Sequence, residues 1–298
     1  MKQIVKPEKQ KQIIIFVAAA VSLLGLEASS SAMASYQLES FLVISAYVYF
    51  FLVFWQSFVF DLHLKPASAW ASLEKTFLRS LKARFQYMAS GHHFRHYQSY
   101  LVLPGIIYWA TAALIFLNPF NSVLKQVFIF TSSIGLTISF LYLKTVFYAH
   151  KEQNHLTRQM IFMVKLYAAY ISFLASFGIC LYLGLGKLFF AILVADVTFV
   201  LLAQAFFQHH FLGFDTLKYL LSASVILGVT GYFVFMSWNV NYFSGALVLA
   251  AIYNTIWGFF HHDLIDKNLT REIVYEYVAV LFVVLVFVFG TTNFAQRI

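Results

Sequence analysis

The chain has 298 residues, of which 61% are hydrophobic and only 11% are charged, and its formal net charge is +8. Soluble domains contain about 25% charged residues, so this composition excludes a soluble protein. The lone Cys180 also excludes an intramolecular disulfide. We therefore predict an all-α, polytopic membrane helix bundle that forms a single membrane domain over residues 1–298.

Nine apolar segments are long enough to cross a bilayer, whose core of about 30 Å needs about 20 helical residues. The first follows four lysines and ends near Ala32-Met33-Ala34, which resembles a signal-peptidase site. We expect this segment to be retained; if it is cleaved, eight spans remain. The predicted spans are 13–33, 38–60, 99–118, 124–148, 159–184, 188–208, 216–236, 243–262 and 272–291.

Residues 66–90 form the one substantial segment that does not span. Its apolar residues recur at steps of three and four, which predicts an amphipathic helix with lysine and arginine largely off the apolar stripe. Such a helix lies in the inner membrane interface, held by its apolar face and by anionic lipid. A cytoplasmic helix packed on the bundle would show the same pattern.

Positive charge orients the bundle. With the N-terminus inside, seventeen lysines and arginines, Lys165 among them, fall on the inner side, and only Lys125, Lys187 and Arg297 on the outer side. This asymmetry predicts a cytoplasmic N-terminus, in a bacterial inner (plasma) membrane. It also explains the basic character of the chain without a nucleic-acid partner.

All ten histidines fall at predicted inner helix ends or inner loops. Besides His63 they form four clusters, separated by 50 to 60 residues and two spans: His92, His93 and His96; His150 and His155; His209 and His210; His261 and His262. Metal binding is the commonest use of many imidazoles at one depth. The alternative for each histidine is an interfacial residue bonded to lipid phosphate or backbone.

Local spacing supports a metal centre. His92 and His96 are one helical turn apart and can share an ion, whereas adjacent histidines on a helix point about 100° apart, so one of each adjacent pair can be the ligand. Asp196 lies mid-span, too far from His209 to be a direct ligand. Further ligands, or partners that orient the imidazoles, are predicted at Glu152, Asp215, Asp263, Asp266, Glu276, Asn254 and Gln204.

The donor set also limits the metal. Imidazole and carboxylate without thiolate suit non-haem iron, zinc or copper. More than six candidate histidines exceed the needs of one tetrahedral ion, so two ions are expected.

The clusters resemble those of the membrane histidine-box iron oxygenases, such as fatty-acid desaturases and hydroxylases. His92 to His96 and His150 to His155 match the HxxxH and HxxxxH boxes, and the two adjacent pairs match the end of HxxHH boxes. A looser likeness is to bacterial carotene-cleaving membrane dioxygenases. The resemblance implies two irons, dioxygen, a separate electron donor, and a lipid, isoprenoid or carotenoid substrate that is hydroxylated, desaturated or cleaved.

Three other functions fit parts of the pattern. Paired histidines on facing helices can bind haem in an electron carrier. A divalent-cation transporter would need ligands near the membrane midplane, where Asp196 lies. A structural bundle with histidines that respond to pH needs no bound metal.

Overall fold

The computed structural model describes residues 7–33, 38–59, 91–148, 155–208, 214–238, 242–265 and 267–292. These residues form nine α-helices and one short π-helix, and no strand occurs among them. The predicted all-α bundle is thus confirmed. The predicted amphipathic helix over 66–90 lies outside the described residues.

The helices follow the predicted spans closely. Eight of them are apolar and long enough to cross a membrane, and the third has a shorter apolar stretch, Val102–Leu117. The chain is therefore a polytopic membrane protein. The helices are α1 (Pro7–Met33), α2 (Leu38–Val59), α3 (Gly91–Leu117), α4 (Ser122–Tyr148), α5 (His155–Tyr182), α6 (Lys187–Gln208), α7 (Phe214–Ser237), α8 (Tyr242–Phe260), the π-helix (His261–Ile265) and α9 (Arg271–Thr291).

Short turns with left-handed residues end two of the helices. Asn118 adopts φ 46° after α3, and Gly184 adopts φ 64° after α5. Asn121 then starts α4, because its side-chain oxygen accepts a hydrogen bond of 2.9 Å from the Leu124 N–H. Within the bilayer, helices satisfy every backbone group internally, and these two turns lie at helix ends.

The chain forms two compact units, Met1–Val164 (unit 1) and Lys165–Ile298 (unit 2). In unit 1, polar side chains hold α1, α2 and α3 together. The Gln56 side-chain amide donates hydrogen bonds to the Ala18 carbonyl at 2.7 Å and to Ser22 Oγ at 2.8 Å. The Tyr108 hydroxyl donates to the Ser45 carbonyl at 2.7 Å. Buried hydrogen bonds between helices thus stabilise this unit.

Unit 2 is held together by close helix approach and aromatic packing. A Cβ at Gly228 of α7 would lie 3.0 Å from the Ala191 carbonyl oxygen of α6, so this glycine lets the two helices approach closely. The rings of Phe177, Phe190 and Phe235 pack with centroids 4.5 to 5.1 Å apart. This apolar cluster stabilises the contact of α5 with α6 and α7.

Candidate functional site

The described structure places part of the predicted ligand set. His92, His93 and His96 lie in the first two turns of α3, and His155 is the first residue of α5, as backbone positions. The backbone of Asp215 lies in the first turn of α7. Outside the described residues lie His63, His150, His209, His210, Glu152 and Asp266.

His261 and His262 are the histidines whose side chains the structure describes, and they open the π-helix after α8. Their ring centroids are 5.5 Å apart, with the ring planes at 67°. The sequence predicted regular helix here, whereas a π-helix widens the turn, a change often found at functional sites. The wider turn lets both adjacent rings remain half-buried.

Two aromatic side chains orient this histidine pair. The His261 ring meets Trp257 edge-on at 5.7 Å between centroids, and the His262 ring meets Tyr277 of α9 at 5.9 Å. Tyr277 itself packs on Gly258, where any Cβ would overlap its ring. The lack of a side chain at Gly258 therefore sets the position of the ring that contacts His262.

The polypeptide after the pair is also fixed by hydrogen bonds. The His262 carbonyl accepts a hydrogen bond of 2.9 Å from the Asn268 N–H, and Lys267 between them adopts φ 52°. Thr270 then caps α9, with its hydroxyl accepting from the Ile273 N–H at 3.5 Å. The turn from the π-helix into α9 thereby holds the histidine pair and Tyr277 on neighbouring elements.

Two of the predicted carboxylate partners, Asp263 and Glu276, have side chains that the structure describes. Asp263 and Glu276 are exposed, and no group of three His, Cys, Asp or Glu side chains suited to a metal occurs among the described residues. The pair can supply two imidazole ligands. A complete metal site would need ligands from clusters whose side chains lie outside the described part of the chain.

Comparisons with protein-family models, curated proteins and solved structures found no match. The histidine-box interpretation therefore stays a prediction.

Lys165 is a buried residue whose importance the sequence analysis missed. It was counted with the inner positive charges, but its side chain is only 5% exposed within α5. Its Nζ lies 5.4 Å from the centroid of the Trp257 ring, which also contacts His261. The available signal was its position inside an apolar span, six residues after Gln159.

Other buried polar groups of unit 2 have no hydrogen-bond partner among the described residues. Among them are the Tyr253 hydroxyl, the Asn254 Oδ1 atom and both polar atoms of the Gln204 amide. Asn254 and Gln204 were predicted to assist the histidines, and Tyr253 was not singled out. Asp196 differs from them because its side chain is exposed on the surface of α6, halfway along the span.

Proposed function

We propose that this chain is an integral-membrane, metal-dependent oxidoreductase that acts on a lipid or isoprenoid. In this proposal the histidine clusters lie at the cytoplasmic ends of the helices and bind two iron ions. A separate protein supplies electrons. Bound iron with an open coordination position supplies the reduction of dioxygen and the oxidation of C–H or C=C bonds.

Helix order supports a shared side for the histidines. Every cluster falls where an even-numbered helix is followed by an odd-numbered one: α2 to α3, α4 to α5, α6 to α7 and α8 to α9. Because two crossings return the chain to the side that it left, four such positions share one side if every helix crosses the membrane. Helix packing alone gives histidines no reason to avoid the opposite ends.

The observation that supports metal binding most directly is the ring pair in the π-helix. Metal–nitrogen bonds are about 2.1 Å long, so two imidazoles that share an ion have ring centres roughly 5 Å apart. The centroids of His261 and His262 are 5.5 Å apart, close to that separation.

The neighbouring residues would have defined tasks in such a site. Trp257 and Tyr277 would hold the imidazole rings in place by ring packing. Trp257 and Phe206 also pack edge-on at 5.8 Å beside the pair, and both are buried. These rings keep water away from one side of the histidines, which an oxidation of a lipid chain requires.

Metal analysis of the purified protein tests the proposal. We expect iron, without the Soret absorption band of haem, and a clear fall in iron per chain in His261→Phe and His262→Phe. These variants keep a ring against Trp257 or Tyr277 but remove the ligand nitrogens. Asp196→Asn is the matched control, because it alters a polar side chain away from the clusters and should retain the wild-type iron content.

Three results would contradict the proposal. A Soret band would identify a haem protein, and zinc as the sole metal would remove the redox function. Unchanged iron in both histidine variants would exclude the π-helix pair as ligands. A final test is the lipid composition of cells that produce the protein, where oxidised products should appear with the wild type and disappear with both variants.

A further inference from the structure

The amine of Lys165 lies inside unit 2 instead of at the membrane surface. Six residues separate Lys165 from Gln159, where the span begins, which is roughly 9 Å along a helix. Lysines near helix ends usually extend toward water. This one is directed at Trp257, and both side chains are 5% exposed.

A buried ammonium group is stabilised by a negative partner. Burial removes its hydration, and charged groups inside membrane proteins are therefore usually paired and functional. The face of the Trp257 indole attracts a cation but carries no full charge. Among the residues that the structure describes, no acidic side chain pairs with the amine.

The helix opposite Lys165 carries two further polar atoms, on Tyr253 and Asn254, that have no hydrogen-bond partner among the described residues. Trp257 follows Tyr253 by four residues and Asn254 by three, so the three residues share one face of α8. Tyr253 is 2% exposed. Its hydroxyl has no hydrogen-bond partner among the described residues, and neither has the Asn254 Oδ1 atom. Buried polar atoms in proteins nearly always have a partner, often a water or a ligand.

A second contact shows that this face of α8 lies against α5, the helix of Lys165. The Tyr253 ring packs edge-on against Phe173 of α5, with centroids 6.4 Å apart. Phe173 follows Lys165 by two turns, while Tyr253 precedes Trp257 by one turn, so the helices run antiparallel. Lys165 and Tyr253 therefore both belong to the interface between α5 and α8, and Asn254 follows Tyr253 directly on α8.

We propose that Lys165, with Tyr253 and Asn254, binds the acid group of an amphiphile, either a carboxylate or a phosphate. The ammonium supplies the opposite charge, the phenol donates a hydrogen bond, and the Asn254 amide can present its N–H groups by rotation. Charge-assisted bonds in a water-poor interior are stronger than neutral ones.

This inference rests on the proposed function for the role of the ligand, which it identifies as an acidic lipid substrate. The Trp257 ring contacts both the Lys165 amine and the His261 ring, so one indole separates the acid-binding groups from the histidine pair. The carbons next to the acid group would then be the ones nearest the histidines. Oxidation is expected near that end of the chain.

Binding of three ligands with the same hydrocarbon chain tests the site. Oleate, oleyl phosphate and oleyl alcohol are titrated into delipidated, full-length protein in a neutral detergent, and Kd is measured by equilibrium dialysis. We expect at least one acid to bind about tenfold more tightly than the alcohol, the effect of one charge-assisted bond. Preference for oleate indicates a fatty acid, and preference for oleyl phosphate a phospholipid.

Lys165→Gln should remove the preference for the acid, because the charge is lost. Lys187→Gln is the matched control, since Lys187 also lies over an aromatic ring, Tyr232 at 4.9 Å, but is exposed. It should keep the wild-type preference. Equal binding of acid and alcohol to the wild type, or an unchanged preference in Lys165→Gln, overturns the inference.

Tyr253→Phe provides a test if Lys165→Gln does not fold. It removes one oxygen and keeps the ring on Phe173, and we expect a fall of several-fold in affinity for the acid. An unchanged affinity for the acid in Tyr253→Phe excludes the phenol and overturns the inference.

All titrations are repeated after chelator treatment, because acid binding at this site needs no metal. If the protein binds the acid but never contains metal, the proposed function is contradicted and the proposed acid-binding site is retained.

Discussion

Units 1 and 2 both bury polar side chains in a membrane bundle, but they use them differently. In unit 1, Gln56 and Tyr108 bond to groups on neighbouring helices. In unit 2, the corresponding amide and phenol, Gln204 and Tyr253, have polar atoms without a partner among the described residues. These polar groups of unit 1 thus hold helices together, whereas Gln204 and Tyr253 of unit 2 make no such bond among the described residues.

The difference in hydrogen bonding between the two units is not absolute when single atoms are compared. Unit 1 also contains Ser45 Oγ and Gln56 Oε1 without partners. Both belong to residues that form a bond between helices through another atom, the Ser45 carbonyl or the Gln56 amide nitrogen. Tyr253 and Gln204 have no such second bond from the side chain, and Lys165 lies on the helix that faces Tyr253. Structural hydrogen bonding therefore explains unit 1 better than unit 2.

The largest loss of stability is expected at Gly258 of unit 2, where the structure leaves no space for a side chain. Gly258→Ala places a methyl group against the Tyr277 ring, and such overpacking costs about 2 kcal/mol. Denaturant titration of the purified protein in detergent should show this loss, and iron content should fall as His262 loses its neighbour. Gly186→Ala is the control, because a Cβ there meets nothing within 4 Å. Equal stability of both variants would show that Tyr277 moves freely.

A pair of glutamine substitutions tests the contrast between the units directly. Gln56→Leu removes two bonds to α1 and should lower the free energy of unfolding by about 1 kcal/mol, since such bonds contribute about 0.6 kcal/mol each. Gln204→Leu removes an amide without partners, so it should leave stability unchanged or raise it. The same denaturant titration measures both. A larger loss in Gln204→Leu would reverse the comparison.

The matched tyrosines give an expected effect no larger than that of the glutamines. Tyr108→Phe loses the hydrogen bonds to the Ser45 carbonyl and to Ser29 Oγ and should lower the free energy of unfolding by about 1 kcal/mol. Tyr253→Phe should not destabilise the ligand-free protein, because its hydroxyl has no partner among the described residues. Thermal unfolding with and without oleate separates the two roles. Oleate should stabilise Tyr108→Phe as much as wild type, and Tyr253→Phe less.

The spans were predictable because a physical constraint sets their length. A helix must cover the hydrocarbon core and bond its own backbone, so α1, α2 and α4 to α9 were found from apolar length alone. Helix α3 begins at Gly91, eight residues before the predicted span 99–118. Hydropathy gave no signal for that extension, because its first turns are polar and are not required to lie in lipid.

The features that define the candidate site were less accessible from the sequence. The π-helix at His261 depends on backbone hydrogen bonding, which residue type does not report. Lys165 was assigned to the inner surface by its place in the chain, but its burial depends on Trp257, 92 residues later. The predicted roles of the other clusters stay predictions.

Helix α9 has one consequence for the histidine pair. Val288 is its one buried residue among those described, so acyl chains cover most of this helix. Its 21 residues span about 31 Å, close to the thickness of an average hydrocarbon core. Thinner or thicker bilayers should change the tilt of this helix. Because the Tyr277 ring contacts the His262 ring, a change in tilt would shift the His262 ring as well. The proposed activity should therefore respond to the acyl-chain length of the surrounding lipids.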